Sequence, residues 1–183
     1  TVAFIDDWLE DANRRDFTIN SMSASASGAL YDPLNGYFDL VRGRVRFIGV
    51  ARDRIAEDYL RILRFFRFHG QFGQHPMDRD AVSACRMFAR KLRHLSCERV
   101  RDEFLKILQV RNPAMVCEQM HNEQILKHIL PEATNLDRLS ILQCIEAKVR
   151  RGINQKPDAI RNLAALLTAN KNDVAAAADR LKL

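Results

Sequence analysis

The chain has 183 residues, 47% of them hydrophobic and 28% charged, with a formal net charge of +6. That length allows one domain with a real core or two small subdomains, and the composition is that of an ordinary globular protein. No apolar run reaches about 18 residues, which argues against a membrane-spanning helix. The first residues carry the acids Asp6 and Asp7, lack the apolar stretch of a secretory signal and do not begin with Met, so a portion of a longer product is expected. Cys85, Cys97, Cys117 and Cys144 form no CxxC pair, and none of His69, His75, His94, His121 and His128 has ligand spacing. No metal site is expected, and the cysteines are read as reduced, buried thiols of a cytoplasmic protein.

In chain order, residues 1–13 read as a strand remnant followed by a loop. Ser21–Ser27 is weakly helical in character. Gly28–Leu40 reads as a short hairpin, with Tyr31 and Tyr37 flanking the turn-rich Asp32-Pro33-Leu34-Asn35-Gly36. Val45–Gly49 alternates apolar and basic residues like a short strand or extended turn. After Gly49 helical periodicity takes over. One helix is predicted over 52–69, stopped by Gly70, Gly73 and Pro76, and a second runs from an Asp78 cap to about Leu92. Ser96 caps a third, with Val100, Phe104, Leu105, Ile107 and Leu108 on its buried face. Further helices are expected near 113–121, 136–150, 157–168 and 172–182, with Pro131, Gly152 and Pro157 as separators. The fold class is therefore mainly α, a helical bundle with a small β element at the N-terminus, and the divide falls near residue 50.

Charge is distributed unevenly. Eight arginines and no lysine lie between Arg42 and Arg67. Guanidinium forks suit phosphates and base edges, although a solvated basic face would show the same composition. Within this run the sharpest feature is Glu57-Asp58-Tyr59-Leu60-Arg61-Ile62-Leu63-Arg64-Phe65-Phe66-Arg67. On one helix, Asp58, Arg61 and Arg64 would project from nearly one face. A carboxylate beside a guanidinium offers an acceptor and a donor together. Cytosine and adenine present the matching amine and ring nitrogen; guanine and uracil present the reverse and would leave both groups unsatisfied. Arg64 and Arg67 would remain for a triphosphate. The same spacing also fits plain helix ion pairs, Glu57 with Arg61 and Asp58 with Arg61, worth a few tenths of a kcal/mol each.

Four motifs carry a resemblance. Arg14-Arg15-Asp16-Phe17-Thr18-Ile19-Asn20, then DPLNGYFDL with GRVRFIG, then Glu57-Asp58 through Arg61, then SCERVRDEFLK at Ser96–Lys106, resemble in order the signatures of class II tRNA nucleotidyltransferases and bacterial poly(A) polymerases. The resemblance covers roughly residues 1–110; beyond it the chain matches only in being helical. It implies a head remnant at 1–49, a neck that templates the nucleotide at 50–110 and a helical RNA-binding body at 111–183. It implies that Arg15 meets the triphosphate or ribose, Asp16 selects ribose, Asn20 fixes the helix end, Asp58 and Arg61 template C and A, and Arg64 and Arg67 bind phosphates. Ser96, Glu98 and Arg99 would brace the neck without touching substrate. For Arg15 the plainer alternative is a surface ion pair with Asp11 or Asp16.

The family's head also begins with a Gly-Ser loop and a D-x-D pair that holds magnesium. Neither Asp6-Asp7 nor Asp78–Asp80 follows such a loop, so no catalytic or metal residue is expected in this chain, and Mg2+ belongs to the full-length parent. The implied parent adds CMP and AMP from CTP and ATP to the 3′ end of tRNA. The alternatives are a poly(A) polymerase of the same superfamily and a non-catalytic helical RNA-binding module.

Overall fold

The computed structural model describes residues 7–74, 76–149, 157–167 and 170–183. The expected strand at residues 1–6, His75 and Gly152 lie outside the described residues. Helix α1 spans Trp8–Arg14, where a loop was predicted. Asp7 explains the difference: its carboxylate caps the helix by accepting from the Leu9 and Glu10 amides at 2.8 and 3.4 Å. A 3-10 turn follows at Thr18–Asn20.

Strands β1 (Ser23–Ala24) and β2 (Leu30–Tyr31) pair antiparallel, Ser23 opposite Tyr31 and Ala24 opposite Leu30. Ser21–Ser27 therefore contributes a strand and not a helix, and the hairpin lies upstream of its predicted place. Its turn is closed by the Ser25 carbonyl, which accepts from Gly28 at 3.0 Å. Tyr37 belongs to helix α2, Gly36–Val41. The residue that redirects the chain is Asp32. Its two carboxylate oxygens accept from the Gly36 and Tyr37 amides at 2.7 and 2.9 Å and start a helix where a turn-rich composition suggested a hairpin loop. Gly36 is required there, because a Cβ would sit 2.0 Å from the Thr18 carbonyl oxygen.

The extended segment at 45–49 is found as expected. Phe47 bridges to Phe17, with Thr18 donating to the Arg46 carbonyl and Ile48 to the Asp16 carbonyl, at 3.1 and 3.0 Å.

The rest is helical: α3 (Ala51–Glu57), α4 (Arg61–Phe72), α5 (Arg79–Phe88), a 3-10 stretch Ala89–His94, α6 (Cys97–Ile107), α7 (Pro113–Asn122), α8 (Leu126–Ile129), α9 (Leu136–Val149), α10 (Ala159–Leu166) and α11 (Lys171–Leu181). Asp78 and Ser96 cap α5 and α6 as predicted, accepting from the Ala81 and Arg99 amides at 2.9 and 3.4 Å. The expected 52–69 helix is two helices, broken at Asp58. The helix expected to reach Leu92 tightens to 3-10 after Phe88.

One apolar cluster joins Phe17, Val45 and Phe47 to residues as far along as Leu181. Phe65, Phe66 and Phe104 are fully buried at its centre. Phe17 packs on Phe47 with ring centroids 4.7 Å apart, and Phe47 stacks on Phe65 at 5.8 Å, which clamps the extended N-terminal segments onto α4. Cys85 and Cys117 are buried, and burial pushes the Cys117 thiol up to about 12. Cys97 is only half-buried and Cys144 is exposed, contrary to the reading of all four as buried.

Candidate functional site

The 14–20 motif forms a loop locked by its own side chains. Asp16 is 4% exposed. The Asn20 amide donates to Asp16 at 2.8 Å and accepts from the Phe17 amide at 3.1 Å, so Asn20 fixes the turn and not the end of α1. Arg15 is exposed and pairs with Asp11 at 2.9 Å, with a further bond to the Asn20 carbonyl at 3.2 Å.

The 57–67 motif is split between two elements. Asp58 has an extended backbone at the end of α3, and Arg61 is the first residue of α4. Asp58, Arg61 and Arg64 therefore do not share one helix face. The cause is the short Asp58 side chain, whose Oδ1 takes the Leu60 amide at 3.1 Å and so competes with the helical backbone. The other carboxylate oxygen accepts from Arg99 of α6 at 2.7 Å. Asp58 and Arg61 do not bond to each other. Arg61 donates through Nη1 to Glu57 at 2.6 Å and to the Arg54 carbonyl at 2.8 Å, and its Nη2 lies 3.5 Å from the Arg14 carbonyl.

These partners leave capacity at both groups. A carboxylate has about four lone-pair sites and a guanidinium five N–H donors. Asp58 uses two of its sites, and Nε of Arg61 has no partner among the described residues. Side-chain exposures of 32% for Asp58 and 15% for Arg61 keep both within reach of a ligand.

The two motifs are joined by a buried ion pair. Arg64 of α4 holds Asp16 through Nε and through Nη2, the latter at 3.2 Å. Burial opposes ionisation of Asp16, but the hydrogen bonds from Arg64 and Asn20 and the attraction of Arg64 outweigh it and hold the carboxyl below the ordinary carboxylate range. The same hydrogen bond pushes the Arg64 guanidinium pKa further up. Arg54 adds a second tie: it reaches the Asn13 carbonyl at 3.0 Å, bonds the Arg15 carbonyl, and pairs with Glu57. Glu57 is half-exposed; its slight burial is outweighed by the bond from Arg61 and the charges of Arg54 and Arg61, which keep it below its usual range.

Arg67 stands apart. It pairs with Glu103 of α6, which is 2% exposed, bonds Gln71 at 3.1 Å and covers the Phe68 ring at 4.3 Å. The structure thus gathers Arg15, Asp16, Asn20, Asp58, Arg61 and Arg64 around the α3–α4 junction, and turns Arg67 toward α6. Sequence reading missed Arg54 and the Arg99 contact to Asp58. The spacing of Arg54 three residues before Glu57 was a usable signal; nothing local links Asp58 to a residue 41 positions away.

Known proteins resemble this chain in sequence and fold. A family profile described as "Poly A polymerase head domain" matches residues 1–46, and one described as "Probable RNA and SrmB- binding site of polymerase A" matches residues 76–136. Mitochondrial CCA tRNA nucleotidyltransferase 1 of Mus musculus is 39% identical over all of this chain, which spans 41% of that relative's length. A solved CCA-adding enzyme in complex with ATP is 25% identical, with a TM-score of 0.74 over 96% of this chain and 44% of its own. The Bacillus stearothermophilus CCA-adding enzyme in complex with CTP is 28% identical, with a TM-score of 0.68 over 77% of this chain and 35% of its own. Motifs, mainly α fold and relatives agree, and the chain belongs to the class II tRNA nucleotidyltransferase and poly(A) polymerase family.

Proposed function

We propose that this chain is the nucleotide-selecting portion of a template-independent RNA nucleotidyltransferase that adds CMP and AMP to the 3′ end of tRNA. The observation that carries the reading is the buried Asp16–Arg64 pair, which sets the 14–20 loop against the junction that bears Asp58 and Arg61. At that junction Asp58 accepts from the exocyclic amine of cytosine or adenine, and Arg61 donates to the adjacent ring nitrogen. Guanine and uracil would set carbonyl against carboxylate and N–H against guanidinium, and polar groups left unpaired are costly.

Arg15 serves the triphosphate or ribose, Asp16 the ribose, and Asn20 holds the loop that presents them. Arg64 reaches phosphates through the nitrogen that Asp16 leaves free, and Arg67, held toward α6 by Glu103 and Gln71, has Nη2 left for one. The parts then divide as head remnant at 1–49, neck at 50–110 and RNA-binding body at 111–183. The names of the relatives favour CMP and AMP addition over AMP alone. Among the described residues no helix is long and apolar enough to cross a membrane. The cytoplasm is the working compartment proposed for this chain; the mouse relative is mitochondrial.

Magnesium supplies electrophilic activation in this family's reaction, and the described residues do not fit it. Among the described residues no group of three or more His, Cys, Asp or Glu could hold a metal ion. Asp78 of the Asp78–Asp80 pair caps α5. The part proposed for the described residues is to bind and select.

Titration with the four ribonucleoside triphosphates tests the reading. CTP and ATP are expected to bind at least ~10-fold more tightly than GTP and UTP, with the preference lost in Arg61→Ala. Equal weak binding of all four would leave Asp58 and Arg61 as ion-pair residues of a helical RNA-binding module.

A further inference from the structure

A second basic concavity lies beyond the first turn of α6. A cleft of about 380 Å³ opens between the 89–94 stretch, the start of α6, α8 and α11. Arg93, Lys127, His128 and Arg180 line it beside the apolar Leu95 and Val100, and no carboxylate is among its walls. The four basic side chains come from three separate elements, so no single helix repeat explains their meeting.

The charges are poorly compensated. Arg93 is exposed and has no ion-pair partner among the described residues. Lys127 donates to the Gln124 amide oxygen at 2.7 Å, a neutral partner. Only Arg180 is neutralised, by Glu132 at 2.9 Å through one nitrogen. Nδ1 of His128 is buried without a hydrogen-bond partner. Burial, then the charges of Arg93, Lys127 and Arg90, push the His128 pKa down. Like charges beside apolar walls repel, and an anion relieves that repulsion.

We propose that this cleft binds a phosphate of the RNA backbone. Two guanidinium groups and an ammonium converging from different directions suit a tetrahedral anion better than a planar one. The position favours RNA over a free ion. Cys97 and Val100 line the cleft, whereas Arg99, on the same helical turn, reaches Asp58. Residues two apart on a helix face nearly opposite ways, so the cleft and Asp58 lie on opposite sides of α6, about one helix diameter of ~10–12 Å apart. A strand whose 3′ end is presented to a nucleotide held by Asp58 and Arg61 crosses α6 and lays a phosphate, a few nucleotides upstream, into the cleft. That placement rests on the base-reading role proposed above; the affinity for phosphate does not.

The test uses an RNA hairpin with a single-stranded 3′ tail, its binding followed by fluorescence anisotropy across a salt series. Arg93→Ala with Lys127→Ala is expected to weaken binding about 10-fold near ~100 mM salt and to reduce the slope of log K against log salt by about 1.4, two cations at ~0.7 each. The control pair Arg42→Ala with Arg79→Ala, exposed cations outside the cleft and the 111–183 body, is expected to change neither by more than a small fraction of that. Equal losses in both pairs overturn the proposal. The His128 ring resonances of the unaltered chain give a second readout, independent of any folding defect. A shift on adding RNA supports the site. No shift, or a shift with inorganic phosphate and none with RNA, overturns it. The preference for CTP and ATP should survive in the Arg93 and Lys127 variant, so failure here is distinguishable from failure of the base-reading proposal.

Discussion

Residues 8–49 and residues 61–130 hold their shape by different means. In the helical stretch, apolar positions recur at helical spacing and meet in a shared core, with Ile62, Leu63, Phe65, Phe66, Phe104 and Met120 all fully buried. In the N-terminal stretch the elements are short, and Trp8, Tyr37, Phe38 and Val41 remain 51–62% exposed. There the chain is shaped by side chains bonding to nearby backbone, through Asp7, Asn20 and Asp32, and by Phe17 and Phe47 resting on α4. Where packing of periodic faces dominates, structure is dispersed over many residues; where polar side chains steer the backbone, it hangs on a few.

The contrast predicts a steep gradient of mutational cost. Phe104→Ala is expected to lose about 3–5 kcal/mol in urea unfolding. Phe38→Ala, on the exposed face of α2, should stay within ~0.5 kcal/mol. A comparable loss at Phe38 would erase the distinction.

Next in size is Arg64→Ala, which leaves Asp16 buried with only Asn20 for company. Losing one partner of a buried pair costs about 3–5 kcal/mol; with Arg64 30% exposed, about 2–3 kcal/mol is expected here. Hydrogen exchange should quicken at the Thr18 and Ile48 amides, which hold the loop to 45–49. The sign of the pH effect follows from the depressed Asp16 carboxyl. Its contribution is fully present above the unfolded-state value of ~3.9 and is lost as pH falls through the lower folded value. Acid unfolding of Arg64→Ala should therefore be shallower below about pH 4 than that of the unaltered chain.

Smaller still is Asp32→Ala, which removes both caps of α2 and should cost ~1 kcal/mol, with exchange increased at Gly36 and Tyr37 and unchanged in α4.

The same contrast explains what could be read in advance. The later helices, α7 and α9–α11, follow from periodicity and from the breakers between them, and the Asp78 and Ser96 caps were visible as residue types. The hairpin was misplaced because Asp32 in DPLNG can either join a turn or cap a helix, and composition does not choose. The break at Asp58 was missed for the same reason: the apolar rhythm runs through it, and only a bond from its carboxylate to the Leu60 amide interrupts the helix. Of the candidate site, the motif residues were legible and their meeting was not. Asp16 with Arg64, Arg54 with the Arg15 carbonyl and Asp58 with Arg99 are contacts between residues 39–48 positions apart, which no local spacing encodes.

The central claim is that Asp58 and Arg61 read the base together although they do not bond to each other. Isotope-edited spectra of the Arg61 guanidinium during addition of each nucleoside triphosphate test it most directly. The account predicts that CTP and ATP move the Arg61 Nε–H resonance while UTP and GTP leave it in place. A response of equal size to all four, or to none, would contradict it.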